Sequence, residues 1–316
     1  MKNGVDVVKA VGGVTTTAGS GGDFIPTELS AELIEYIKWN SVGRNLWDQV
    51  VMPTPTFDIP KLTGVNSIYY VGVGSQPTQS AMATDTVSLV AKKLMGLLTV
   101  DAEIDEDSKI ALLPLIKEDF GTEIGYAETD AFFNGEGNSF AISDHPRKAF
   151  EGLRSLANGT SVDAAGATVA LKHVNQGLVN LGRYGTNPAM IDLFGAPVVV
   201  GELRKLYADF DKYTIFNQGA LKTGQVGAIW GVNVYQVGQL PTNLTYGGST
   251  GNGYTEALLV HRKTPIIGDR RAIKFKTFDQ IWTDQLLIVP SERIAFNVRW
   301  DDAIVKITSL SATLSA

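Results

Sequence analysis

The sequence predicts an α+β fold in which one long helix and a set of strands form the body and an extended flap leaves it. Three observations carry this. Between Pro53 and Thr86 the chain is broken by Pro53, Pro55, Pro60 and several glycines and shows no helical period. From Val87 to Ile104 apolar and polar residues alternate, as in a strand. From Pro114 to Asn134 apolar residues recur at spacings of three and four, as in a helix. A flap of roughly forty residues with little core of its own is unusual, because loops above about fifteen residues in a compact domain generally bind something. Its expected partner is another copy of the chain.

Composition sets the outer limits. At 316 residues the chain forms one large domain or two lobes. Its 44% hydrophobic and 19% charged residues are those of an ordinary soluble globular protein. No apolar run reaches the ~20 residues of a membrane span, and Met1-Lys2-Asn3-Gly4 is followed by no apolar signal core. These features place the chain in a cytoplasm or in a particle made there. The absence of cysteine excludes disulfides, thiolate metal sites and a cysteine nucleophile. A net charge of -6 argues against a dedicated nucleic-acid binder, which needs clustered Lys and Arg to neutralise phosphates. Asn158-Gly159-Thr160 and Asn243-Leu244-Thr245 match a glycosylation acceptor, a chance match without a secretion signal.

In chain order, the first thirty residues are too rich in Gly, Ser and Thr to hold a fold and read as an arm. Thr27 or Ser30 caps a short amphipathic helix through Trp39, with Leu29, Leu33, Ile34 and Ile37 on one face, packed on the main lobe. Extended chain follows from Val51, with Ile68-Tyr69-Tyr70-Val71 as β-prone residues and Gly72 to Asp85 as an exposed tip. The returning strand sets Leu94, Gly96, Leu98, Val100, Ala102 and Ile104 on one face and Met95, Leu97, Thr99, Asp101 and Glu103 on the other. Asp105 to Leu112 forms a short helix, and Pro114 opens a second, since proline fits a first turn and breaks an interior. That helix carries an apolar stripe of Phe120, Ile124, Ala127 and Ala131 and ends on a left-handed Gly135. Gly121 and Gly125 lie one turn apart, where another backbone can approach closely. Beyond a break at Asn158 to Ser161, Leu171, Val174, Leu178 and Leu181 mark a helix, Met190 to Phe194 and Val198 to Val200 strands, and Glu202 to Asp211 another helix. Val232 to Val237 is a strand and Thr242 to Thr255 a loop. Further strands fall near Leu258 to Val260, Ile273 to Phe278, Leu286 to Val289 and Ile294 to Ile307.

No catalytic, cofactor-binding or metal-ligating residue is expected from the sequence. Asp101, Glu103, Asp105, Glu106 and Asp107 resemble a calcium loop, but Glu106 occupies the place of its glycine and Leu112 that of its bidentate glutamate. They suit a strand end and a helix start, where the helix dipole favours negative charge. His145, His173 and His261 have no neighbour at metal-ligand spacing, and His173 reads as a structural histidine. The glycine clusters at Gly19 to Gly22, Gly72 to Gly74 and Gly247 to Gly253 do not link a buried strand to a helix, as phosphate cradles do. Neither a Walker lysine motif nor a G-x-S-x-G elbow occurs.

Gly22-Asp23-Phe24-Ile25-Pro26, a helix, a flap, the run Lys93 to Ser108, the long helix and Asn134-Gly135-Glu136-Gly137, in that order, resemble major capsid proteins of tailed bacteriophages with the HK97-like fold. The resemblance continues through Gly231 to Val237, Glu292 to Val298 and Ala303 to Ile307, and so covers nearly the whole chain. It implies an N-terminal arm (1–30), an N-terminal helix of the P-domain (31–50), an E-loop (51–92), a P-domain with its spine helix (93–160), an A-domain (161–284) and closing P-domain strands (285–316). It further implies hexamers and pentamers of a shell assembled in the bacterial cytoplasm, with double-stranded DNA packaged inside by non-specific contact. Other partners would be a portal protein, a separate scaffolding protein or none, and decoration proteins. An arm of about thirty residues carries no long scaffolding segment of the kind some members cut away. Asp284 and Ser291 stand where crosslinking members carry Asn and Glu, so no isopeptide weld is expected, and Lys61 reads as a solvated charge in the flap. A cargo compartment of the encapsulin type and an α/β enzyme or ligand-binding protein are the competing readings.

Overall fold

A computed structural model of the chain describes residues 42–64, 66–101, 112–208, 225–246 and 249–313. The amphipathic helix expected at residues 27–39, and all but the last residue of that expected from Asp105 to Leu112, lie outside these.

The first sheet is built on a long hairpin, β12 (Pro265–Gln280) and β13 (Gln285–Val298). β1 (Asp48–Val51) runs parallel to the outer edge of β12, while β4 (Lys92–Met95) and β5 (Leu98–Asp101) lie antiparallel on β13. The expected continuous strand from Val87 to Ile104 is divided, and the division has a cause. β4 pairs Met95 with Ser291 and β5 pairs Leu98 with Ile288, one register throughout, so the gap falls opposite Pro290. Gly96 donates its N–H to the Pro290 carbonyl at 3.1 Å, but Pro290 has no N–H to return. Alternation survives the break only in part: Leu94, Gly96 and Val100 are half-buried and Met95, Leu97 and Thr99 exposed, but Leu98, expected on the face of the first three, is exposed.

The second sheet has the order β6 (Val162–Asp163), β14 (Ile304–Ser311), β11 (Ser249–His261), β7 (Ile191–Gly195), β9 (Val232–Gln236) and β8 (Gln225–Ile229), with β10 (Leu244–Tyr246) also on β11. The segment expected as one strand from Ile294 to Ile307 turns a corner at Arg299 to Ala303 and so feeds both sheets. The expected loop Thr242 to Thr255 is mostly strand, because it folds back on itself, β10 pairing with the start of β11 (Leu244 opposite Tyr254, Tyr246 opposite Ser249), and β14 continues the pairing at Tyr254 and Thr255. The remaining two strands, β2 (Thr56–Leu62) and β3 (Thr84–Val90), form a separate antiparallel hairpin.

Helix α1 (Leu112–Asn134) matches the expected spine, with Pro114 in its first turn. The single apolar stripe describes only its first half. From Glu128 to Asn134 every side chain is buried, because the helix runs into the core. Gly135 does not adopt a left-handed conformation. A Cβ there would lie 2.4 Å from the Phe150 carbonyl oxygen and 2.5 Å from that of Ala131, so the glycine serves a close backbone approach. Gly137 takes the left-handed turn instead, at φ +56°. A Cβ on Gly121 would meet nothing within 4 Å, so no part of the described chain uses that gap.

After the short α2 (Leu153–Leu156), helix α3 (Leu171–Asn180) lies where the periodicity put it. Val198 to Val200, expected as a strand, instead opens α4 (Pro197–Ala208). Pro197 starts the helix, and Val199 and Val200 are buried beside Gly195 of β7, so tertiary packing overrides the β preference of three valines.

One aromatic cluster ties these parts together. The Trp47 ring lies 5.9 Å from Phe132 and 5.5 Å from Phe133 of α1, 6.0 Å from Phe194 of the second sheet and 5.7 Å from Phe296 of the first. A smaller cluster of Met52, Leu89, Ala91, Ile266 and Ala295 roots the β2/β3 hairpin.

Candidate functional site: surfaces for assembly

The β2/β3 hairpin pairs Thr56 with Val90 at its base and Leu62 with Thr84 at its outer end. Its base is anchored: Val87 and Leu89 are buried, and Phe57 and Ile59 pack against the smaller cluster. Beyond Leu62 the anchor is lost. Ile68 is 96% exposed, and Tyr70 and Val73 are as open as in an extended peptide. A subunit that projects two tyrosines and several aliphatic residues on a segment without regular structure presents a surface for a partner. Across the hairpin, Lys61 Nζ lies 3.2 Å from Asp85 Oδ2, a cross-strand pair in which Asp85 is exposed and Lys61 half-buried, so Lys61 is a paired charge rather than a freely solvated one.

A second apolar projection was not foreseen. The turn of the β12/β13 hairpin exposes Ile281 (89%) and Trp282 (94%), with Phe278 half exposed beside them. Asp284 closes this turn at φ +50°. The dipeptide Ile281-Trp282 between Gln280 and Thr283-Asp284 was the available signal.

A cluster of charge joins the spine helix to the first sheet. Arg44 donates to Glu128 of α1 from Nε at 2.7 Å and Nη2 at 2.5 Å, and to Asp269 of β12 from Nη1 at 3.0 Å. Its Nη2 is 3.7 Å from Glu292 of β13, which is fully buried. Burial pushes the Glu292 carboxyl up to about 9, and the neighbouring Glu128 adds to the effect. The cluster bolts the segment before β1, the spine helix and both long strands to one another. The sequence trace was faint: one acid near the apolar end of a helix and one in the run Leu286 to Phe296.

The other residues singled out from sequence do not converge. Asp101 lies at the end of β5 and accepts a hydrogen bond from Gln285 Nε2 at 2.6 Å. Glu103, Asp105, Glu106 and Asp107 fall outside the described residues. His145 Nδ1 accepts from the Arg147 N–H, and His173 Nδ1 from the Ala170 N–H at the start of α3, the structural role expected of His173. Burial pushes the imidazoles of His173 and His261 down. Ser291 is buried and accepts from Arg271 Nη2 at 2.8 Å. Among the described residues, no three His, Asp or Glu side chains are grouped to hold a metal ion, and no helix is long and apolar enough to cross a membrane.

Comparison with known proteins supplies the decisive observation: the family model of the phage capsid family matches residues 21–309. The chain belongs to the phage capsid family. Within it, the chain is 24% identical over 251 residues to the major capsid protein of Klebsiella oxytoca phage phiKO2; the match covers 76% of this chain but 55% of that relative's length. Among solved structures it is similar to the capsid of a native GTA particle (TM-score 0.71, 16% identity, 94% of this chain and 99% of the other). It is also similar to Microbacterium phage Oxtober96 (TM-score 0.67, 16% identity, 93% and 99%). The HK97-like α+β fold expected from the order of motifs is therefore the fold of this phage capsid family chain.

Proposed function

We propose that the chain is a major capsid (head) protein, a structural subunit without catalytic function that assembles into hexamers and pentamers of an icosahedral shell around double-stranded phage DNA. The observation that carries this is the hairpin anchored at Leu89 and bare beyond Leu62, in a chain of the phage capsid family. Such a projection acquires its core only against neighbouring subunits, and many modest interfaces then add up to a stable shell.

In this reading residues 1–30 are the arm, 31–50 the N-terminal helix of the P-domain and 51–92 the E-loop. Residues 93–160 form the P-domain with α1 as its spine, 161–284 the A-domain and 285–316 the closing P-domain strands. β12 and β14 pair across the last boundary, onto β13 and β11, so the two domains would share strands and turn together. The subunits assemble in the bacterial cytoplasm and end in the virion, with a portal protein at one vertex and separate scaffolding or decoration proteins as further partners. The net charge of -6 suits a lining that leaves packaged DNA mobile.

Negative-stain electron microscopy of the purified protein, alone and co-expressed with its neighbouring genes, tests the reading. Closed shells or capsomer rings are expected, with DNA rather than an enzyme as cargo. A uniform monomer under both conditions would overturn it.

A further inference from the structure

A groove of about 440 Å³ runs between α1, β4 and the segment from Ser143 to Phe150. Ala127, Ala131 and Phe150 contribute to an apolar floor, and Lys92, Lys93 and Lys148 stand around it. Of the acids in its lining, Glu128 is already engaged by Arg44, which leaves three lysines against Asp144. The volume falls in the range of about 300–1,000 Å³ at which a cleft takes a compact apolar group, and the rim calls for negative charge beside that group.

The turn of the β12/β13 hairpin carries such a group. Ile281 and Trp282 are almost fully exposed, and from Thr277 to Gln285 the only charges are Asp279 and Asp284, both exposed. The turn is closed: Gln280 pairs with Gln285, and the Thr283 N–H donates to the Gln280 carbonyl at 3.2 Å. A tryptophan held on a tight turn gives up little conformational freedom on docking, and tryptophan is among the residues that anchor interfaces. An apolar knob between two aspartates complements an apolar trough among three lysines.

The knob and the trough of one subunit cannot meet. β4 lines the groove, with Met95 opposite Ser291 and Lys92 opposite Ile294 of β13. Along β13, Gln285 lies six residues from Ser291 and nine from Ile294, about 20 and 30 Å at the rise of a strand. The ladder with β12 is unbroken from Lys274 opposite Ser291 to Gln280 opposite Gln285, so the hairpin does not fold back.

We propose that Ile281 and Trp282 of one subunit insert into this groove of a second copy, with Asp279 and Asp284 toward Lys92, Lys93 and Lys148. Tip and groove are different surfaces, so the contact is head-to-tail: each subunit gives one tip and receives one, and copies add in sequence until the rotation closes. The inference deepens the assembly reading and rests on it for the presence of neighbours.

The chain has no cysteine, so introduced thiols report without background, and Thr283, Met95 and Val179 are exposed positions that tolerate one. Full-length Thr283→Cys and Met95→Cys proteins, co-expressed and then mildly oxidised, should give disulfide-linked dimers. The rate should exceed by at least about tenfold that of either protein alone and that of Thr283→Cys co-expressed with Val179→Cys, because docking raises the effective concentration of the two thiols to the order of millimolar. A chain carrying both Thr283→Cys and Met95→Cys should give a ladder of oligomers. Lys92→Glu with Lys93→Glu in the Met95→Cys protein should slow the reaction several-fold, and Asp279→Lys in its Thr283→Cys partner should restore part of it. A rate equal to the Val179 control, by oxidation and by a short bismaleimide alike, would overturn the groove as the seat of the tip. Equally fast dimers of Thr283→Cys alone would overturn it in favour of tip against tip, and a faster-migrating monomer from the doubly substituted chain would overturn the contact between copies. Shells in the microscope together with any of these results would leave the assembly reading intact, so the two ideas fail separately.

Discussion

Glu292, within β13, is fully buried and lies against Glu128 of the spine helix. Among the described residues, no donor reaches either carboxyl oxygen of Glu292, and the nearest cation, Arg44, is committed to Glu128 and Asp269. Two carboxylates in contact in a low-dielectric interior cannot both ionise, so one keeps its proton. Burial first, and Glu128 second, make Glu292 the one that keeps it, with its carboxyl pushed up to about 9. The retained proton makes Glu292 itself the donor of the pair.

A pH dependence follows, with a definite sign. The folded form of Glu292 holds its proton more tightly than the unfolded chain, so the stability it contributes is complete below the ordinary carboxyl range and is lost as pH rises toward about 9. Glu292→Gln keeps the shape and a donor toward Glu128 without the ionisation. It should flatten the fall between pH 6 and pH 9, and at pH 9 it should be more stable than the parent by about 1–4 kcal/mol. Urea unfolding at both pH values checks this; a variant equally destabilised at both would sink it.

Arg44→Met tests the other side of the cluster. It leaves Glu128 and Glu292 buried beside Asp269 with no cation among the described residues, a loss of about 3–5 kcal/mol. Arg44→Lys should recover only part of it, because an ammonium cannot form the two-nitrogen contact to Glu128. Denaturation midpoints of the three proteins give the order.

Two glycines of the same helix region should respond in opposite directions. Gly135→Ala forces a Cβ onto the Phe150 carbonyl and should cost about 1–3 kcal/mol. Gly121→Ala meets nothing within 4 Å and should stabilise the subunit by up to about 1 kcal/mol through helix propensity. Thermal melts of the isolated subunit separate them.

The hairpin depends on its root. Leu89→Ala opens a hole among Met52, Ile266 and Ala295 and should cost about 2–5 kcal/mol, concentrated locally. Hydrogen exchange should accelerate at the β2 and β3 amides while those of β7 and β11 keep their protection; uniform acceleration would refute a separate root.

Deleting Gly64 to Thr84 should leave a folded subunit that forms no closed shells. The residues removed carry no part of either core cluster. Normal shells from the deletion would refute the role given to the flap.

Where the sequence carried a period, it was legible. The spine, α3 and the strands around Leu193, Val234 and Leu258 follow from apolar spacing alone, and the flap follows from prolines and glycines in a stretch without a helical period. Local preference failed where a neighbour outweighed it. Val198 to Val200 became helix because Gly195 offered them a wall, and the residues around Tyr254 became strand because β10 and β14 lay alongside.

The sequence by itself determined the strongly periodic elements and their order, and with them the kinship to phage capsids, because periodicity and turn chemistry are local. Tertiary structure alone decided which elements meet. It broke the returning strand opposite Pro290, and it brought Arg44, Glu128, Asp269 and Glu292 together from four distant segments. It also left Ile281 and Trp282 bare at the end of a hairpin. A single chain carries no local mark of such meetings, since contact, burial and the proton on Glu292 are properties of the space between segments.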